Sequence, residues 1–228
     1  MGKSMEGSVA KARAPRRAAR IPRDPERTRA AILRAATSEI TAKGLNGTRV
    51  DTIAKRAGVN KRMLYHYFGD KQGLYLAVLE DTYAAIRTAE ISLNLTEHDP
   101  VDGMRKLVLF TWQYFIEHPE FLSLLATENL NRAAYLKKSK RIRHLHAPLV
   151  GVIDDLLERG TKQKIFRTDV DPVELYISIA ALGFFYMANR HTLSTIFGKD
   201  LNAPKRLAQR GKHIVEMVLA YLKPADKA

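Results

Sequence analysis

No cysteine occurs among the 228 residues. That excludes disulfides, thiolate metal sites and cysteine nucleophiles together, and it suits a reducing compartment, so a cytoplasmic protein is expected. No apolar run reaches the roughly 18 residues that span a bilayer, and the basic N-terminus lacks the apolar stretch of a secretory signal. No membrane contact is expected. Catalytic wording is missing too: there is no HExxH, no GxSxG and no glycine-rich phosphate loop. His144 and His146 stand two apart, which on a helix sends them to different faces, and neither has a histidine or carboxylate four residues on to complete a metal set. The expectation is therefore no enzyme, no metal and no cofactor. Acid is also scarce. Asp and Glu number 24 against 38 Lys and Arg, a formal charge of +14, which favours a polyanionic partner.

What the chain does contain is helical punctuation. Asp24-Pro25-Glu26 places a cap, a first-turn proline and a first-turn acid in order, and the helix it opens should run to about Lys43, with Gly44 ending it. Ile32, Leu33, Ala36 and Ile40 form its buried stripe. Thr48 is expected to open the next helix, in which Val50, Ile53, Ala54 and Ala57 share one face while Arg49, Thr52, Lys55 and Arg56 share the other. Gly58 suits the left-handed conformation that stops a helix, and Asn60 is placed to cap the following one. There Leu64 and Phe68 lie four apart and face inward, leaving Lys61, Arg62, Tyr65 and His66 outward, with Met63 less decided. Two short helices around a tight Gly58-Val59-Asn60 turn, the second basic and aromatic outside, make a helix-turn-helix fit for a DNA major groove.

The run AGV-N-KRMLYHYFGDKQGL resembles the DNA-binding signature of TetR-family transcriptional regulators. The likeness joins the Ala-Gly-Val turn, the Leu-Tyr-x-Tyr-Phe run and the Asp-Lys-x-x-Leu that follows in one register. The family more often carries serine at the place of Asn60 and glycine at that of Arg62, so the cap chemistry is kept while the early reading face differs. The resemblance implies an all-α fold: a three-helix DNA-binding domain over residues 24–72, then a helical effector-binding and dimerisation domain over 73–228. It implies a homodimeric regulator, a repressor by preference, released from a palindromic operator in double-stranded DNA by a small-molecule effector. DNA contacts are expected from Arg49, Thr52, Asn60, Lys61, Arg62, Tyr65, His66, Tyr67 and Lys71. The rival expectation is an effector-free architectural DNA-binding protein whose affinity comes from charge alone.

Residues 1–23 hold seven cations against one acid, Glu6, and read as a disordered basic arm, either a solubilising tail or an arm along the phosphates. Its position directly before the first helix favours the second alternative. After Phe68, Asp70 should cap a long linking helix carrying Leu74, Val78, Leu79, Tyr83 and Ile86; in the family this helix moves on ligand binding and tilts the DNA heads. Beyond about residue 94 prolines at 100, 119, 172 and 204 predict helices near 100–117, 119–136, 141–159, 172–192 and 204–222, the third started or kinked by Pro148. The cationic run KKSKRIR, residues 137–143, should cover a connection between two of them.

Aromatic and polar residues mix over 110–136 and 184–191, the composition of ligand cavities and equally of a packed core. From the family's inducer cavity, Trp112, Phe115, Phe121, Glu128, Asn129, Arg132, Tyr135, Phe185 and Asn189 are candidate effector contacts. Leu175 to Ala188 is apolar nearly all round, and Gly211 in the last helix would admit a close partner. The family's four-helix dimer interface then implies Leu175, Ile179, Leu182, Tyr186, Gly211, Ile214 and Val218 as its contacts.

Overall fold

A computed structural model describes residues 24–224, except the side chain of His146; the expected basic arm, residues 1–23, lies outside the described residues. The described residues form helices and no strands: α1 Pro25–Gly47, α2 Val50–Ala57, α3 Lys61–Phe68, α4 Lys71–Ile91, α5 Pro100–Glu117, α6 Pro119–Leu130, α7 Lys140–Lys162, α8 Pro172–Phe197 and α9 Pro204–Leu222. Short 3-10 turns at Leu95–Glu97 and Leu136–Lys138 lie between α4 and α5 and between α6 and α7.

The starts follow the caps. Asp24, Asp99 and Asp171 each accept two backbone N–H groups from the turn they precede, and each is followed by proline, whose fixed φ suits the first helical position. The ends follow backbone sterics. Gly44, at φ 66° and ψ 171°, breaks the path of α1, and Gly198, at φ 61°, ends α8. Three expectations are corrected here. Helix α6 stops at Leu130 instead of 136, because Arg132 and Ala133 take positive φ in the turn that follows. Helix α8 runs on past 192 to Phe197, no residue before Gly198 having stopped it. Pro148 neither starts α7 nor ends it; the helix begins at Lys140, capped by Ser139, whose Oγ accepts from Ile142 N–H and donates to Glu80 at 2.6 Å.

Helices α1 to α3 form one unit, and α5 is the centre of the other, with α7, α8 and α9 around it. Helix α4 belongs to both, since it packs on α1 and α3 and also on α7. Trp112 on α5 is the keystone of the second unit. Its Nε1–H donates to the Leu207 carbonyl at 3.2 Å, and Gly211 lets α9 approach so closely that a Cβ there would lie 2.7 Å from the indole.

Candidate nucleic-acid interface

The turn between α2 and α3 is built by backbone and cap. Gly58 sits at φ 66° and ψ 30°; its N–H donates to Lys55 O, and Val59 N–H donates to Ala54 O at 3.0 Å, the paired bonds of a Schellman ending. Asn60 Oδ1 then accepts from Arg62 N–H at 2.9 Å and opens α3. Thr48 does not open α2: it is buried, its hydroxyl donates to Gly44 O at 2.7 Å, and the cap position falls to Arg49, which makes no side-chain cap bond. A buried acid fixes the crossing of the first two helices. Glu39 of α1, wholly excluded from solvent, lies 2.7 Å from Lys43 Nζ and 3.4 Å from Arg56 Nη1 of α2.

Ile53, Ala54 and Leu64 face the core, as their spacing predicts, and Phe68 is half-buried beneath the Arg29 guanidinium. On the other side Arg49, Lys61, Arg62, Tyr65 and His66 are exposed, with Asn60, and Thr52, Tyr67 and Lys71 stand half-buried beside them. The fold thus gathers the nine expected DNA contacts around one short helix. Besides the cap Asn60, two of the cations carry intramolecular partners. Lys61 Nζ lies 2.9 Å from Asp51 Oδ1 across the turn, which raises the ammonium pKa above its ordinary value, and Lys71 Nζ donates to Asn46 O at 3.3 Å. Sequence reasoning missed Gly73. A Cβ there would lie 2.1 Å from the Phe68 carbonyl oxygen, so a glycine is what permits α4 to start so close behind α3.

The structure does not bring the expected effector contacts together. Trp112 and Phe115 are core, the latter stacked on Phe121 at 6.1 Å, while Glu128 is buried and accepts from Leu136 N–H. Tyr135 packs edge-on against Tyr75, Asn129 and Arg132 are exposed, and Phe185 with half-buried Asn189 lies on the outer side of α8. A half-open cavity of about 240 Å³ lies elsewhere, between the C-terminal half of α4, the turn after it and α7. Ile91, Leu95, Leu145, Pro148, Leu149 and Val152 supply apolar wall, and Arg87, Glu90, Asn94 and Thr96 the polar groups. Arg87 and Glu90 are 3% and 5% exposed, with Arg87 Nη1 2.9 Å from Glu90 Oε2 and Nη2 donating to Tyr176 Oη at 2.9 Å. Burial pushes the Glu90 carboxyl up to about 7, partly offset by Arg87. A signal for this cluster was available: Arg87 and Glu90 continue the buried stripe of Tyr83 and Ile86, where a charge has no bland reason to be.

The expected dimer contacts are also redistributed. Ile179, Gly211 and Ile214 are buried within the one chain, and Tyr186 packs edge-on against Trp112 with its hydroxyl donating to Leu201 O. Gly211 therefore admits Trp112 and not a partner helix. Leu175 and Val218 are buried as well, and with half-buried Leu182 they floor a shallow groove of about 540 Å³ on α8 and α9, rimmed by exposed Phe185, Met217 and Tyr221. Val173 and Ile177 extend the apolar face along α8.

Residues 32–78 match the bacterial regulatory proteins of the tetR family, and residues 100–218 match the tetracyclin repressor-like C-terminal domain. The chain is 42% identical over 176 residues to the HTH-type transcriptional repressor NicS of Pseudomonas putida, covering 77% of this chain and 83% of that one. It is 33% identical over 141 residues to the HTH-type transcriptional repressor SCO4008 of Streptomyces coelicolor, covering 60% and 69% respectively. Among solved structures, the putative transcriptional regulator SCO4942 of Streptomyces coelicolor superposes with a TM-score of 0.64 at 25% identity, over 86% of this chain and 98% of that one. Among the described residues no helix is long and apolar enough to cross a membrane.

Proposed function

The chain belongs to the TetR family and is a DNA-binding transcriptional regulator, not an enzyme, and from that premise we propose that it is a homodimeric repressor that a small molecule releases from a palindromic operator. The observation that carries the reading is the continuity of α4, one helix that packs on α1 and α3 and also walls the cavity at Arg87 and Glu90. A ligand that shifts α4 against α7 moves the support on which α3 rests.

In this reading Lys61, Arg62 and Tyr65, at the start of the reading helix, meet base edges, and Thr52, Tyr67 and Lys71 hold phosphates on its flanks. Arg49, Asn60 and His66 complete the contact surface. Two copies meet through the apolar groove of α8 and α9, which sets two α3 helices about one DNA turn, or a multiple of it, apart. Both curated relatives named above are called repressors, which supports repression over activation.

Selection of bound fragments from the source genome tests the proposal. A repressor of this kind enriches one short palindrome and prefers it over bulk DNA by about a thousandfold or more. Enrichment without a shared sequence would instead identify an architectural protein, and an operator complex that no metabolite extract dissociates would remove the effector.

A further inference from the structure

The polar end of the α4–α7 cavity is incomplete as it stands. Arg87 is anchored from one side, by the bond to Tyr176 Oη and by its position 5.5 Å from that ring's centroid. Yet its Nε and Nη1 have no hydrogen-bond partner, nor has either oxygen of Glu90. The 2.9 Å approach of Nη1 to Oε2 is thus a contact of charges without the alignment of a hydrogen bond. Buried donors and acceptors left unmade are costly, and the two residues that carry them line a space large enough for a compact ligand.

The charge balance selects the ligand. A guanidinium cannot lose its proton, whereas a buried carboxyl can gain one, so of the two partners only Glu90 is able to give way. A cationic ligand would have to sit beside Arg87 and sustain like-charge repulsion at a guanidinium that is only 3% exposed. An anionic one can replace Glu90 at no change in net charge, provided that Glu90 protonates. Building on the reading of this cavity as the effector site, we propose that the ligand is a small organic anion whose carboxylate takes the place of Glu90 at the Arg87 guanidinium, while Glu90 takes up one proton from solvent. The protonated carboxyl then donates to the incoming carboxylate, a short charge-assisted bond, and the body of the ligand lies against Leu145, Pro148, Leu149 and Val152.

Among the described residues, the titratable groups that act on Glu90 are Arg87 from its own helix, Tyr114 from α5 and Tyr176 from α8. Burial raises both tyrosines above their ordinary values, which keeps them neutral through the physiological range. The α7 residues that line the cavity are apolar. Proton exchange therefore falls to Glu90, which titrates near 7 in the free protein. Below that pH the anion meets a carboxyl already protonated and its affinity is flat; above it each ligand must bring a proton, and affinity falls about tenfold per pH unit.

Titration calorimetry on the full chain tests this with butanoate, cyclohexanecarboxylate and benzoate, each against its amide and its amine. Repeating the titration in two buffers of different ionisation heat counts protons. At least one carboxylate is expected to bind tenfold or more tighter than its amide and amine, to take up close to one proton at about pH 8.5, and to weaken nearly tenfold between about pH 7.5 and 8.5. Glu90→Gln should bind that carboxylate with no proton uptake and no such slope. A double Arg87→Met, Glu90→Gln variant, which leaves no lone charge in the cavity, should lose the preference for the carboxylate. Amides or amines binding as well as the acids, proton uptake that survives in Glu90→Gln, or no carboxylate binding at millimolar concentration would each overturn the proposal. Carboxylate binding with proton uptake that leaves an operator complex intact would uphold the ligand class and remove the effector reading.

Discussion

Replacing Phe185 by aspartate separates the face proposed to meet a partner from a face that is core. Phe185 is 60% exposed on α8, and an aromatic side chain buries roughly 150–250 Å², so covering the exposed part removes about 90–150 Å² from water. At ~25 cal/mol per Å² that is about 2–4 kcal/mol per copy. A two-fold interface contains the residue twice, giving about 4–8 kcal/mol per dimer before the unpaired carboxylate is counted. A factor of about a thousand or more in the dimer constant follows. Phe185→Asp should therefore sediment as a monomer at micromolar concentration, keep the helical circular dichroism of the parent with one cooperative melt at a lower temperature, and bind half-sites poorly. Val218→Asp differs, since Val218 is only 4% exposed and is packed within its own chain, so it should fail to fold. A Phe185→Asp protein that still dimerises with the parental constant, or that is unfolded, would refute the placement of the interface on this groove.

Arg62→Ala should cost about 1–3 kcal/mol of operator binding and relax base preference at one position, while Lys71→Ala should weaken all DNA alike and lower the salt slope by about one; fluorescence anisotropy at several salt concentrations separates them. Gly73→Ala should lower the melting temperature sharply and abolish operator binding, because its Cβ meets the Phe68 carbonyl at 2.1 Å and overpacking against backbone exceeds the ~1–3 kcal/mol typical of side-chain crowding. The raised carboxyl of Glu90 sets a pH trend: the fold holds a proton that the unfolded chain releases between its ordinary 4.5 and about 7, so this contribution to stability is full below 4.5 and is lost as pH rises through 7. The shift corresponds to about 3 kcal/mol, and urea midpoints at pH 5 and pH 8 should show the Glu90→Gln variant lacking that decline.

The reading unit was legible almost residue by residue because its signals are local: a glycine in the left-handed region, an asparagine cap two residues later and an apolar pair at i and i+4. Helix starts were legible for the same reason, Asp99 and Asp171 preceding their prolines. The faces of α8 were not. With apolar residues nearly all round, periodicity cannot choose between Ile179, which is core, and Ile177, which is half exposed; the choice is made by where Trp112 and α9 stand. The cavity was legible only by half: Arg87 and Glu90 stand out on the buried stripe of α4, but no sequence pattern links them to the α7 wall of Leu145, Pro148, Leu149 and Val152, or Arg87 to Tyr176. The aromatic richness that suggested a cavity at Trp112 and Phe121 proved to be the packing of α5 against its neighbours.

The undivided course of α4 from Lys71 to Ile91 also bears on how such proteins could be recombined. Each residue of an α-helix advances about 1.5 Å and turns about 100°. A single residue inserted between Leu79 and Tyr83 would swing Arg87 and Glu90 away from Tyr176 if Leu74 and Val78 held their places, or the reverse. On the proposed reading, the cavity and the reading helix are therefore joined in phase, like two gears on one shaft. A chimaera that grafts this DNA-reading head onto another sensor should transmit a signal only when its junction in α4 preserves that phase, with additions of about seven residues, near two whole turns, tolerated far better than additions of one or two.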